Sequence, residues 1–141
     1  MTRPTACRLP MPPGPPQEVI AGASRAWRHC RERDAVERTA RICDCVIDIV
    51  AALFNVSGRE LRQPGRTCTS VSRVRQIAMY VSHVAMGLPM REVGRGFGRD
   101  RTTVLHACHL IEDMRDDREF DAIVGMCERV ATAALRGERP V

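Results

Sequence analysis

The chain has 141 residues, enough for one modest domain and an extension, and its 22 basic residues against 17 acidic ones give a formal net charge of +5. That balance points to a polyanionic partner. No stretch approaches the ~18 consecutive apolar residues of a membrane span, and no secretory signal precedes the seven cysteines, so a cytoplasmic chain with reduced thiols is expected.

Aromatics make up only 4% of the residues, so the core must be built from Val, Ile, Leu, Ala and Met, a composition that favours helix over sheet. All 22 basic residues are Arg. An Arg fork suits phosphate and guanine, although a bias in genomic base composition produces the same excess.

Residues 1–24 read as a disordered tail. Pro4, Pro10, Pro12, Pro13, Pro15 and Pro16 remove backbone donors, and little there can pack. Such a tail could also engage a protein partner. Residues 25–41 alternate in charge and read as a polar helix or linker. From Cys43 the pattern changes: Val46, Ile47, Val50, Leu53 and Phe54 share one helical face, which Asn55 and Gly58 terminate. A linker with Pro64-Gly65 and Arg59, Arg62, Arg66 and Arg73 follows.

A second helix is expected from about Val71 to Met86, with Val74, Ile77, Ala78, Val81 and Ala85 inward and Gly87 as its stop. A short third segment puts Met90, Val93 and Phe97 on one side, and Gly96 and Gly98 bracket a tight turn. A fourth helix begins near Asp100 and faces Val104, Ala107, Cys108 and Ile111 inward. Arg115-Asp116-Asp117 breaks the pattern. A last helix carries Phe120, Ile123, Val124, Cys127, Val130, Ala131, Ala134 and Leu135. The fold class expected is all-α, with a helix-turn-helix inside a small bundle over residues 42–136.

The informative block is Met90 to Met114. A short helix, a turn and a longer helix bring Arg99-Asp100-Arg101-Thr102-Thr103 to a helix N-terminus, where amide N–H groups are unsatisfied and the dipole is positive. Such an end can meet phosphates and enter a major groove. Arg can fork onto guanine, Asp can accept from cytosine, and Thr can offer a hydroxyl or a methyl. The plain alternative is an ordinary helix start capped by Asp100.

The stretch RQIAMYVSHVAMGLPMREVGRGFGRDRTTVLHACHLIED resembles domain IV, the C-terminal DNA-binding domain, of the bacterial chromosomal replication initiator DnaA. That family's phrase has the form FGGRDHTTVLHAC, matched here from Phe97 to Cys108. The resemblance covers about residues 42–115. It implies a helical domain that binds a short asymmetric box in duplex DNA, with Asp100, Arg101 and Thr102 at base edges and Thr103 at the backbone. It also implies a basic loop that places an Arg in the minor groove.

Four departures stand out. One Gly of the family's pair is absent, Arg101 replaces His, Arg91 stands where a Pro is usual, and the minor-groove Arg position falls on Thr67 with Arg66 beside it. The DNA-contacting set expected is therefore Arg66, Thr67, Arg75, Arg91, Arg99, Asp100, Arg101, Thr102, Thr103 and His106.

No phosphate loop of the form GxxxxGK[ST] occurs, so no nucleotide is expected. His106 and His109 at i, i+3 supply only two metal ligands, and His29, Cys30, Cys43 and Cys45 have no standard zinc spacing, so neither a metal nor any other cofactor is expected. Ser70, Ser72 and His83 have no acid placed to orient the His, and Asp113, Asp116 and Asp117 read as a solvated helix end, so no enzyme is expected. Two functions remain: a nucleoid-associated double-stranded DNA binder that regulates replication or transcription, or a helical module of the same fold that serves a protein partner.

Overall fold

A computed structural model describes residues 17–137 of the chain. The chain divides into two units, Met1–Arg33 and Asp34–Val141. The helices are α1 (Gln17–Leu53), α2 (Gly58–Arg62), α3 (Thr69–Val84), α4 (Met90–Phe97), α5 (Arg101–Met114) and α6 (Arg118–Ala134), with no strand among the described residues.

Helix α1 runs through two expected boundaries. The stretch expected as tail through residue 24 is helical from Gln17, and residues 25–41, expected as a polar helix or linker, are part of the same 37-residue helix. After Pro16 no proline follows until Pro64, and no glycine lies between Gly22 and Gly58, so nothing in that span removes a helical donor or loosens the backbone. Residues 1–16, which hold the Pro-rich run and the expected partner-binding segment, lie outside the described residues. In the first unit Trp27 is 66% exposed.

In the second unit α1 buries Ile42, Cys43, Val46, Ile47 and Val50. It ends at Asn55, whose φ of 53° is left-handed. Asn55 N–H donates to the Ala52 carbonyl (3.3 Å) and Val56 N–H to the Ala51 carbonyl (2.9 Å), which satisfies two orphan acceptors of the last turn. Gly58 does not stop α1; it opens α2, capped by Ser57 Oγ, which accepts from Arg59 N–H. Sequence periodicity gave no sign of this five-residue helix.

Helix α3 contacts α2, α4, α5 and α6. It buries Val74, Ile77, Ala78 and Val81 as expected, and also Met79 and Tyr80. Val93 and Phe97 of α4, Val104, Ala107, Cys108 and Ile111 of α5, and Val124, Cys127 and Ala131 of α6 complete an aliphatic core. Leu53, Ile123 and Val130, expected inside, are exposed. Burial pushes the Cys43 thiol up to about 12 and the Cys108 thiol up to about 11, so both sulfurs behave as small apolar groups.

Arg115 knots α3, α5 and α6 together. Its Nε donates to Asp121 Oδ1 (2.6 Å), and its Nη1 donates to Glu128 Oε1 (2.8 Å) and the Tyr80 hydroxyl (3.1 Å). Tyr80 in turn donates to Glu112 Oε2 (2.6 Å). Burial, with that carboxylate acceptor, pushes the Tyr80 hydroxyl up to about 12. The Arg–Asp break read between the last two helices is therefore a polar joint, and Asp117 caps α6 by accepting from Phe120 N–H (2.9 Å).

Tyr80 is the one tyrosine in the chain. Tyrosinate formation followed by ultraviolet absorbance is expected near pH 12 in the folded protein and about two units lower in denaturant. Because the folded value is the raised one, stability falls as pH rises above about 10. Arg115→Ala should lower the urea-derived stability by about 2 kcal/mol, since charge-assisted bonds are lost and Glu128 is left without its partner. A tyrosine that titrates at its ordinary value in the folded protein refutes the joint.

Candidate nucleic-acid interface

Helices α4 and α5 are joined by three residues, Gly98, Arg99 and Asp100, in a turn whose geometry is set by glycine. Gly98 closes α4 with φ 64° and ψ 34°. Its N–H donates to the Arg95 carbonyl (3.3 Å) and Arg99 N–H to the Gly94 carbonyl (2.8 Å), the paired bonds of a left-handed helix stop. Gly94 is needed for a different reason: a Cβ there would stand 2.6 Å from the Arg99 carbonyl oxygen. Gly96 does not bracket the turn. It lies inside α4, and a Cβ would stand 2.6 Å from Cys43 Sγ, so it lets α4 approach α1 closely.

Asp100 then starts α5. Its Oδ1 accepts the Thr103 N–H at 2.7 Å, which holds its carboxyl below the usual carboxylate range. The acid is thus a cap, and its charge is absorbed by the helix end. Beyond it Arg101, Thr102, Thr103 and His106 are all exposed on the outer side of α5.

The remaining expected residues fall into three groups. Arg66 is exposed and Thr67 half-buried on the loop between α2 and α3, where Thr67 Oγ1 pairs with Ser72 Oγ at 2.9 Å. Arg99 reaches back from the turn to that loop, donating from Nη2 to the carbonyls of Gln63 (3.2 Å) and Gly65 (3.4 Å). Arg91 is exposed on α4.

Arg75 is a correction. It is 6% exposed, and its guanidinium donates to the carbonyls of Leu61 (2.9 Å), Glu60 (2.9 Å) and Gln63 (3.3 Å). A group spent in this way cannot reach a phosphate; it holds the end of α2. Burial, with the Arg99 charge nearby, lowers the Arg75 guanidinium below its ordinary value. The sequence showed only a basic residue beside an apolar stripe, with nothing to mark it as buried.

Between α3 and α5 runs a polar groove lined by Ser72, Arg75, Gln76, Met79, Arg99, Thr103, His106 and Ala107. Ser72 and Gln76 were missed by sequence reading. Each is a short polar residue on a helix, with no motif around it, and gains a role only because α5 crosses opposite. Arg99 lines this groove, Arg66 and Arg101 are exposed on the loop before α3 and at the start of α5, and Asp100 caps α5.

This geometry is that of a DNA-reading helix-turn-helix: a tight turn, a capped second helix, and cations at its exposed end. Residues 43–111 match the family model of the bacterial DnaA protein helix-turn-helix. Over this segment the chain is similar to a DnaA-type helix-turn-helix domain. It is 52% identical over 67 residues to the chromosomal replication initiator protein DnaA of Mesorhizobium japonicum, a match that covers 47% of this chain and 14% of that protein. A solved structure described as a DNA replication initiation factor superposes with a TM-score of 0.68 at 25% identity, over 83% of this chain and 37% of the other. The chain therefore spans a small part of its relatives.

In the DnaA-type domain Gly94→Ala should be costly. The atom it meets is backbone, so the turn must shift, at about 1–3 kcal/mol. Thermal unfolding of that variant checks the expectation, and an unchanged melting temperature shows that the turn can open freely.

Proposed function

We propose that this chain binds duplex DNA at boxes of the initiator type, with the N-terminal end of α5 in the major groove and the Arg66–Thr67 loop toward the adjacent minor groove. The observation that carries the reading is the coincidence of Arg101, Thr102 and Arg66 on exposed backbone, linked through Arg99. Arg101 forks onto guanine O6 and N7, Thr102 meets a thymine methyl, and Asp100 keeps a carboxylate edge near a cytosine amino group while it caps α5. Thr103, His106, Ser72 and Gln76 line a groove suited to the sugar-phosphate backbone.

The same reading places the protein at the nucleoid, in control of replication initiation or of transcription. The 141 residues hold no GxxxxGK[ST] loop, so any ATP-dependent step lies outside them. No described helix is long and apolar enough to cross a membrane. A second reading, the protein-interaction module, has one observation in its favour: Ile123, Met126 and Val130 are exposed along one side of α6.

Fluorescence anisotropy with labelled duplexes tests the assignment. Each neutralised phosphate contributes about −0.9 to the log–log salt slope, so affinity should fall steeply between low and physiological salt. Arg101→Ala should cost about 1–3 kcal/mol on the preferred box and relax one base position, whereas loss of a phosphate contact weakens all sequences alike. If Arg101→Ala and Thr102→Ala leave affinity and preference intact, α5 is not the reader, and the exposed side of α6 becomes the functional surface.

A further inference from the structure

We propose that Arg99 is a positioning residue: it latches the Arg66-bearing loop to the start of α5, so that the two DNA-facing segments hold a fixed spacing. The proposal rests on the DNA-reading assignment above and deepens it.

The side chain leaves the backbone one residue before the Asp100 cap and reaches 34 and 36 residues back along the chain, to the Gly65 and Gln63 carbonyls. Those carbonyls belong to the irregular stretch between α2 and α3. Gln63 N–H makes the last bond of α2, to the Arg59 carbonyl, and at the other end Thr67 pairs with Ser72. Between these points stand Pro64, which has no N–H, and Gly65, whose φ of 99° is open to few other residues. Among the described residues the bond from Arg99 to Gly65 is the one hydrogen bond that ties this middle segment to another element. Arg66 is the next residue. Its reach toward DNA is therefore set by a side chain from the helix-turn-helix.

Both bonds leave one nitrogen, Nη2, whose two N–H donors are fixed in the guanidinium plane. An ammonium is a point charge on a flexible stem and fixes no such directions. Arg75 donates to the same Gln63 carbonyl. Two like charges thus converge on one oxygen; burial first, and the Arg99 charge second, lower the Arg75 guanidinium below its ordinary value. An arriving phosphate relieves that repulsion. A simple phosphate contact would need none of these bonds.

The test has two arms. In the free protein, nitrogen-15 relaxation of Gly65, Arg66 and Thr67 should give order parameters near 0.85 for the native chain and below about 0.6 for both Arg99→Ala and Arg99→Lys. The α5 amides serve as the control for folding. In DNA binding, Arg99→Lys keeps the charge and should keep the salt slope. It should nonetheless lose about tenfold in discrimination at the base pairs that substitution of Arg66 also affects.

Unchanged loop order in Arg99→Ala overturns the latch. Rescue of order and preference by Arg99→Lys overturns the need for the planar guanidinium. Loss of order with preference intact overturns the coupling to recognition. If the native chain shows no base preference at all, the DNA-reading assignment fails, while the relaxation arm still decides the latch.

Discussion

A helix of five residues cannot satisfy its own last carbonyls, and in this domain one buried guanidinium does it for them. Arg75 is an unusual core residue because a cation in a low-dielectric interior is expensive unless it is fully hydrogen-bonded. Here the partners are three carbonyl oxygens at the end of α2. The charge is met by dipoles, and the dipoles that would otherwise be orphans are met by the charge. This exchange fixes where the chain leaves α2, and so fixes the path of the loop and the point at which α3 begins. The bond from Arg99 then lands on a carbonyl that is already held. The loop that carries Arg66 is thus placed by a buried residue.

The parts that the sequence made legible are those with a local cause. Met90, Val93 and Phe97 mark one side of α4, Gly98 marks its stop, and Asp100 marks the next start, because each is decided by the neighbouring few residues. The parts that it hid depend on what lies across the chain. Arg75 and Arg99 were read as members of one basic set; only the position of α2 separates the buried one from the half-exposed one. On α6 the residues Val124, Cys127 and Ala131 and the residues Ile123, Met126 and Val130 form two adjacent apolar stripes. Periodicity alone cannot say which is covered, because the answer lies in the placement of α3. The continuity of α1 was missed for the opposite reason: a polar, charge-alternating stretch gives no hydrophobic signal even where nothing interrupts the helix.

An acid at the tip of a DNA-reading helix looks like a liability, since it would repel phosphate. Its engagement resolves the difficulty. The carboxylate of Asp100 accepts an amide at the positive end of α5 and is stabilised there, so its field is largely spent on its own helix. The same carboxylate fixes the first turn, and with it the directions in which Arg101 and Thr102 leave the backbone. Substitution of Asp100 therefore disturbs the geometry of its neighbours as well as the proposed contact of its own.

The placement of the two indicator side chains has a practical consequence. The single tryptophan, Trp27, stands 66% exposed in the first unit, while the single tyrosine, Tyr80, is 3% exposed in the core of the second. Indole emission is already that of a solvated ring, so a denaturation curve read from tryptophan fluorescence is blind to melting of the helical domain. The buried phenol is the native chromophore that sees it, and a tryptophan placed at Phe97 or Phe120 would be the better reporter for any study of this domain's folding.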